Sequence, residues 1–202
     1  MGTRLAVPAA ALLMCAPLWV AAAEGSSAGE EAQSGIWKQK ELTFVYQGFT
    51  AKYSCDGLRD EVRRALLQLG ADKKDLQVRE TGCTSGFGRP DPFPGVRVKM
   101  NVLEPAAGGT DDKQPSVQAH WKPVDLKLRD TYVTDSGECE LVDEIRRKIL
   151  PLFATRNVSY RTDCIPHQAS AVGPSLKLEV LMADRKDQKV ADGKDQKVDS
   201  PR

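Results

Sequence analysis

The chain has 202 residues, 29 Lys and Arg against 28 Asp and Glu, and a formal net charge of +1 at pH 7. A balance this even gives no general electrostatic footprint for nucleic acid or an anionic membrane surface. The two histidines, His120 and His167, stand in no H-E-x-x-H pattern and at no ligand spacing from each other, which argues against a zinc centre.

Residues 1–23 read as a signal peptide. Arg4 supplies the basic start, Leu5 to Val20 the apolar run, and Ala21-Ala22-Ala23 the small residues before a cut ahead of Glu24. A spanning helix is disfavoured by two prolines inside a run barely long enough to cross. A lipid anchor on Cys15 is disfavoured by the bulky Met14 before it. Cleavage removes Cys15 and leaves Cys55, Cys83, Cys139 and Cys164, which in an oxidising compartment read as two disulfides. Residues 24–35 are small and polar, and a disordered linker is expected there.

From residue 36 the chain is written twice. Trp37-Lys38 precedes Cys55 by 18 residues, and Trp121-Lys122 precedes Cys139 by 18. Each cysteine is followed by a DE[VI]RR segment, Asp60–Arg64 and Asp143–Arg147. Each half then passes a Thr-x-Cys, Thr81-Gly82-Cys83 or Thr162-Asp163-Cys164, and closes on an alternating run, VRVKMNVL or LKLEVLMA. A self-match at this period marks a repeated structural unit. Residues 36–105 form the first copy, 106–119 an inter-repeat linker, 120–184 the second copy and 185–202 a charged, solvated tail with KDQKV written twice.

Within the first copy, Leu42, Phe44 and Tyr46 share a strand face. Leu58, Val62, Ala65, Leu66 and Leu69 follow at helical spacing, with Asp56 as the expected N-cap and Gly70 as the stop. Residues 76–78 and then Val96, Val98, Met100 and Val102 return to strand. The second copy repeats this with Val124, Leu126 and Leu128; then Leu141, Ile145, Ile149 and Leu152; then Val158 and Tyr160; then Leu176, Leu178 and Val180. Pro151 should end or kink the second helix near Leu150. Alternation in the last strands predicts a sheet with one wet face, hence mixed or antiparallel. The fold class is therefore α+β: two βαββ units, one sheet, two helices packed on one face and two disulfides. A right-handed crossover brings Cys55 near Cys83 and Cys139 near Cys164. Locality and duplication favour those pairings, although four cysteines allow three arrangements. Asp60–Arg64, Asp143–Arg147 and Glu144–Lys148 are expected as acid-to-base pairs on the helix surfaces.

Chemistry is sparse. Neither a nucleophile elbow nor a Walker loop is present. TSGFGRP (84–90) lacks the lysine and the following helix of a phosphate cradle, and reads as a strand-to-strand turn held extended by Pro90, Pro92 and Pro94. Trp37 and Trp121, at equivalent places, read as packing residues. Asn157-Val158-Ser159 is a glycosylation sequon that matters only in a eukaryotic secretory pathway. No catalytic residue, cofactor or metal is assigned. Candidate binding residues are Arg63 and Arg146, which could face an anionic ligand, together with Phe87, Arg89 and His167 in or beside two proline-containing loops, 84–95 and 165–174. CDGLRDEVRRALLQLGA, CELVDEIRRKILPLFATRNV and CIPHQ together resemble small exported proteins of Gram-negative bacteria that carry no assigned function. That resemblance implies an envelope or secreted location and adds no active site. The expectation is a periplasmic or secreted, non-catalytic binding module whose partner is an envelope or secreted protein. The alternatives are an enzyme built around His167 with Arg161 and Asp163, and an inhibitor of a secreted hydrolase.

Overall fold

The computed structural model describes residues 32–48, 52–106, 115–128, 136–163, 165 and 173–184. Its elements run β1 (Gln33–Val45), α1 (Cys55–Gln68), β2 (Gln77–Thr81), β3 (Gly95–Pro105), β4 (Val117–Leu126), α2 (Ser136–Lys148), a 3-10 turn at Leu150–Leu152, β5 (Thr155–Arg161) and β6 (Ser175–Ala183). One six-stranded sheet has the order β2-β3-β1-β4-β6-β5, and each neighbouring pair is antiparallel. The mixed alternative is absent because β3 enters between β1 and β2. The two strands joined by the α1 crossover thus run parallel without touching.

Helical periodicity is met in the core. Leu58, Val62, Ala65 and Leu66 of α1 with its C-cap Leu69, and Leu141, Val142 and Ile145 of α2 with Ile149 at its exit, share one buried cluster with Phe44, Tyr46, Val96, Val98, Met100, Val102, Leu126, Leu176, Leu178 and Val180. Both helices therefore cover the same face of the sheet. Leu42 and Val124 pack at its margin, and so does Leu152, which Pro151 has moved out of α2 into the 3-10 turn.

Local capping differs from expectation at the start of α1. Ser54, not Asp56, is the N-cap: its side chain accepts from the Gly57 amide at 3.2 Å. Asp56 is the second helical residue and its carboxylate turns outward to another donor. Gly70 stops the helix as predicted, at φ 87°, where an L side chain would be strained. The Ala71 amide donates to Leu66 O at 3.0 Å and the Gly70 amide to Leu67 O at 3.2 Å, the paired closure of a Schellman motif.

Two of the three expected ion pairs form, Asp143–Arg147 at 3.0 Å and Glu144–Lys148 at 2.9 Å. The third does not. Asp60 pairs with Arg59 at 2.8 Å, while Arg64 reaches Glu61 at 2.6 Å and also the Leu128 carbonyl. Glu61 is 5% exposed, and a buried carboxylate has more to gain from a guanidinium than a solvated Asp60 does.

The segments expected to be linkers contribute the join between the halves. β1 begins at Gln33 and β4 at Val117, and the two pair only through Gln33↔Ala119, Ser34↔Gln118 and Gly35↔Val117. Gln33-Ser34-Gly35 has no alternating apolar residues, so its strand character comes from backbone pairing and close approach. A Cβ on Gly35 would lie 3.1 Å from Leu103 Cδ2 and 3.2 Å from Ala119 Cβ. Beside this join the outer sheet face is not wet. Leu103, Ala119, Leu181 and Ala183 form a second buried cluster with Trp37 and Trp121 packed on it. Trp37 stands opposite Leu103 and Trp121 opposite Leu181, which gives both tryptophans a packing role. The Arg156 guanidinium lies 4.7 Å over the Trp121 ring.

Candidate functional site

Residues 82–94 connect β2 to β3 beside the start of α1, and the chain ties them down at several independent points. Cys55, the first helical residue, is disulfide-bonded to Cys83, with 6.2 Å between their Cα atoms. Ser54 forms a β-bridge with Pro90, and the Asp91 amide donates to Tyr53 O at 3.0 Å. The Gly88 amide donates to Asp56 Oδ1 at 3.1 Å, and this bond is the main reason the Asp56 carboxyl lies below its ordinary range.

Asp91 organises the interior of the loop. Its buried carboxylate accepts from the Thr84 amide at 2.7 Å, the Ser85 amide at 2.9 Å, the Thr84 hydroxyl at 3.0 Å and the Phe93 amide at 3.2 Å. The Ser85 and Thr84 amides do most to hold its pKa down to about 2. The Arg89 amide closes a turn onto Gly86 O at 3.0 Å, and Gly82 and Gly88 supply the φ values of 68° and 72° that the bends require. The loop is therefore folded around one side chain and not held extended by Pro90, Pro92 and Pro94, although their fixed φ narrows its choices.

The result is a stiff loop with large apolar groups in water. Phe87 is 89% exposed and Phe93 63% exposed, and Arg89 is exposed between them. Exposed phenyl rings on a pre-ordered loop can bury area on a partner with little ordering cost, which is how interface anchors work.

The other candidate residues lie elsewhere. Arg63 is half-buried two turns into α1 and makes no ion pair among the described residues. Arg146 is engaged: it bonds Asp143 at 3.0 Å and its guanidinium stacks 4.7 Å over the Tyr160 ring. Arg63 and Arg146 belong to different helices, so only Phe87 and Arg89 are brought together. Cys139 is buried near the start of α2; Cys164 and His167 lie outside the described residues, as does most of the 165–174 loop. Arg161 and Asp163 are exposed at the end of β5. Among the described residues no three His, Cys, Asp or Glu side chains are placed to hold a metal ion. No helix of the described residues is long and apolar enough to cross a membrane.

Sequence reasoning passed over Asp91 and Phe93. The available signal was an Asp set between prolines, because a short carboxylate is the side chain best suited to collect neighbouring loop amides. A shallow depression over β4, β5 and β6, lined by Pro123, Asp125, Asn157, Lys177 and Glu179, is a weaker site. Its Glu179 is already bonded to Arg156 at 2.5 Å and Asn157 at 3.1 Å.

The fold and loop define an α+β protein with an antiparallel sheet covered by two helices on one face and a disulfide-pinned loop at one end. No protein-family model, no curated protein and no solved structure matches the chain.

Proposed function

We propose that the protein is an exported, disulfide-stabilised, non-catalytic binding module, and that the β2–β3 loop is its recognition surface. The observation that carries this reading is the pairing of rigidity with exposure. Four donors converge on Asp91 and a disulfide closes the base, while Phe87 and Phe93 remain in solvent. A protein gains nothing in its own stability from water-exposed phenyl rings, so their presentation on a fixed frame points to a partner.

Export is supported by the apolar leader and by the Cys55–Cys83 bond, which persists in oxidising compartments and not in a reducing cytosol. A duplicated βαββ origin is supported by the element order and by the arrangement β2-β3-β1 followed by β4-β6-β5. It is also supported by the matched register of Trp37 and Trp121 and by the burial of the equivalent Glu61 and Glu144. On this reading a second bond joins Cys139 to Cys164, and the relatives are small exported bacterial proteins. A rigid stapled loop also suits a hydrolase inhibitor, which the same residues would serve by occupying a cleft.

The test is capture from the native cell envelope with wild-type protein and the F87S/F93S double variant. A partner retained by wild type and lost with the variant, at unchanged melting temperature, supports the reading. Equal capture by both would remove the loop from the recognition surface.

A further inference from the structure

We infer that the β2–β3 hairpin docks on an anionic phospholipid surface, with Phe87 and Phe93 entering the headgroup region and arginines facing the phosphates. The inference rests on the loop being the recognition surface and names what that surface meets.

Three observations carry it. The first is the apolar tip, with Phe87 and Phe93 at 89% and 63% exposure. The second is that most of the loop's amides outside the Gly86-Phe87 tip are already bonded within the protein, which lowers the cost of bringing it to a less polar medium. The amides of Thr84, Ser85, Gly88, Arg89, Asp91 and Phe93 all donate inside the protein, and Pro90, Pro92 and Pro94 have no amide hydrogen to satisfy. An amide left without an acceptor is what makes loops costly to bury at a membrane.

The third is the distribution of charge around the hairpin. Arg79 and Arg97 stand directly opposite each other on β2 and β3, on the face away from the helices. Like charges so placed oppose strand pairing unless an anion joins them. Among the described residues Arg79 bonds only the neutral Gln77 side chain, at 3.3 Å, and Arg97 and Arg89 have no carboxylate partner. The nearby acids are already used. Asp56 and Asp91 hold loop amides, and Glu80 is paired with Arg59 at 2.8 Å. The chain as a whole is near neutral, yet this hairpin shows its surroundings cations and phenyl rings. The arginine pair sits two residues behind the last strand pair, Thr81↔Gly95, or about 7 Å at the usual strand rise. An apolar pocket on a protein would account for the rings alone; the unpartnered cross-strand arginines favour a surface dense in oxyanions.

The experiment is co-sedimentation of the isolated protein with phosphatidylcholine vesicles, with and without about one quarter phosphatidylglycerol. Three chains are compared: wild type, F87S/F93S and R79Q/R97Q. Wild type should bind the anionic vesicles and not the neutral ones. F87S/F93S should lose binding, and R79Q/R97Q should weaken it about fivefold per arginine removed, with the difference vanishing at high salt. F87S/F93S should melt with wild type, since both rings are exposed, and R79Q/R97Q at the same temperature or slightly above it, since the like-charge pair is relieved. Equal sedimentation of wild type and F87S/F93S would overturn the inference, because any apolar leader still attached would be the binding element. Equal binding to neutral and anionic vesicles would overturn it too, as would no binding at all. In that last case capture of an envelope protein through Phe87 and Phe93 would leave the recognition loop standing while the lipid surface falls.

Discussion

Gly35 is the point at which a small change should separate the two halves of the sheet. It sits in the three-residue join of β1 to β4, with Leu103 Cδ2 and Ala119 Cβ at 3.1 and 3.2 Å from where a Cβ would be. Leu103 can give way by rotating, but the Ala119 methyl is fixed to a paired strand. Replacement by alanine should be nearly neutral, since the tight contact offsets the roughly 0.5–1 kcal/mol that a strand gains on losing a glycine. Valine adds two further methyl groups to the same space and should cost about 1–3 kcal/mol by overpacking. For a chain of this size that lowers the melting temperature by roughly 3–10 °C. Thermal denaturation followed by circular dichroism measures it, and Ala119→Gly in the Gly35→Val background should restore part of the loss by removing the 3.2 Å contact. A chain beginning at residue 36 should be destabilised as well, since it lacks every β1 partner of β4. If Gly35→Val melts with wild type and the shortened chain does too, the join contributes nothing and the shared helix-side core alone unites the halves.

A non-reducing peptide map should show Cys55 linked to Cys83, and replacing both by serine should cost about 3–4 kcal/mol in the chain-entropy picture for a separation of 28 residues. The same map tests the proposed Cys139–Cys164 link, which a Cys139-to-Cys55 or Cys164-to-Cys83 peptide would exclude. Asp91 has a folded pKa of about 2, below its ordinary value of 3.8, so the stability it contributes is present above that ordinary value and lost as pH falls through about 2. Amide exchange at Thr84 and Ser85 should accelerate over that window in wild type; the same step in Asp91→Asn would assign it to another group. Tyr46 is buried and donates to Glu140 at 3.0 Å, so Tyr46→Phe should lose about 0.5–1.5 kcal/mol in urea unfolding. An unchanged midpoint would mean that this bond is no better than one to water.

The parts of the fold that a reader of the sequence could obtain are those governed by short-range rules. Leu58, Val62, Ala65, Leu66 and Leu69 recur at helical spacing because one face of a helix must be apolar to be buried. Val96, Val98, Met100 and Val102 alternate because a strand turns its side chains to opposite faces. Gly70 and Pro151 act through their own backbones, so the helix ends they set needed no knowledge of neighbours. Ser54 and Asp56 were both competent caps, and the choice fell to the fold: the β2–β3 loop brought the Gly88 amide to Asp56 and left Ser54 to the helix. Glu61 drew Arg64 away from Asp60 for a similar reason, since only packing determines which carboxylate is buried. The join at Gln33–Gly35 carries no apolar pattern, and its pairing exists only because β4 arrives alongside it. The recognition loop shows the same division. Phe87 and Arg89 were legible as residues, but their presentation depends on Asp91 gathering amides from both ends of the loop. No local pattern encodes that convergence, because its donors become neighbours only when β2 and β3 pair and Cys55 meets Cys83.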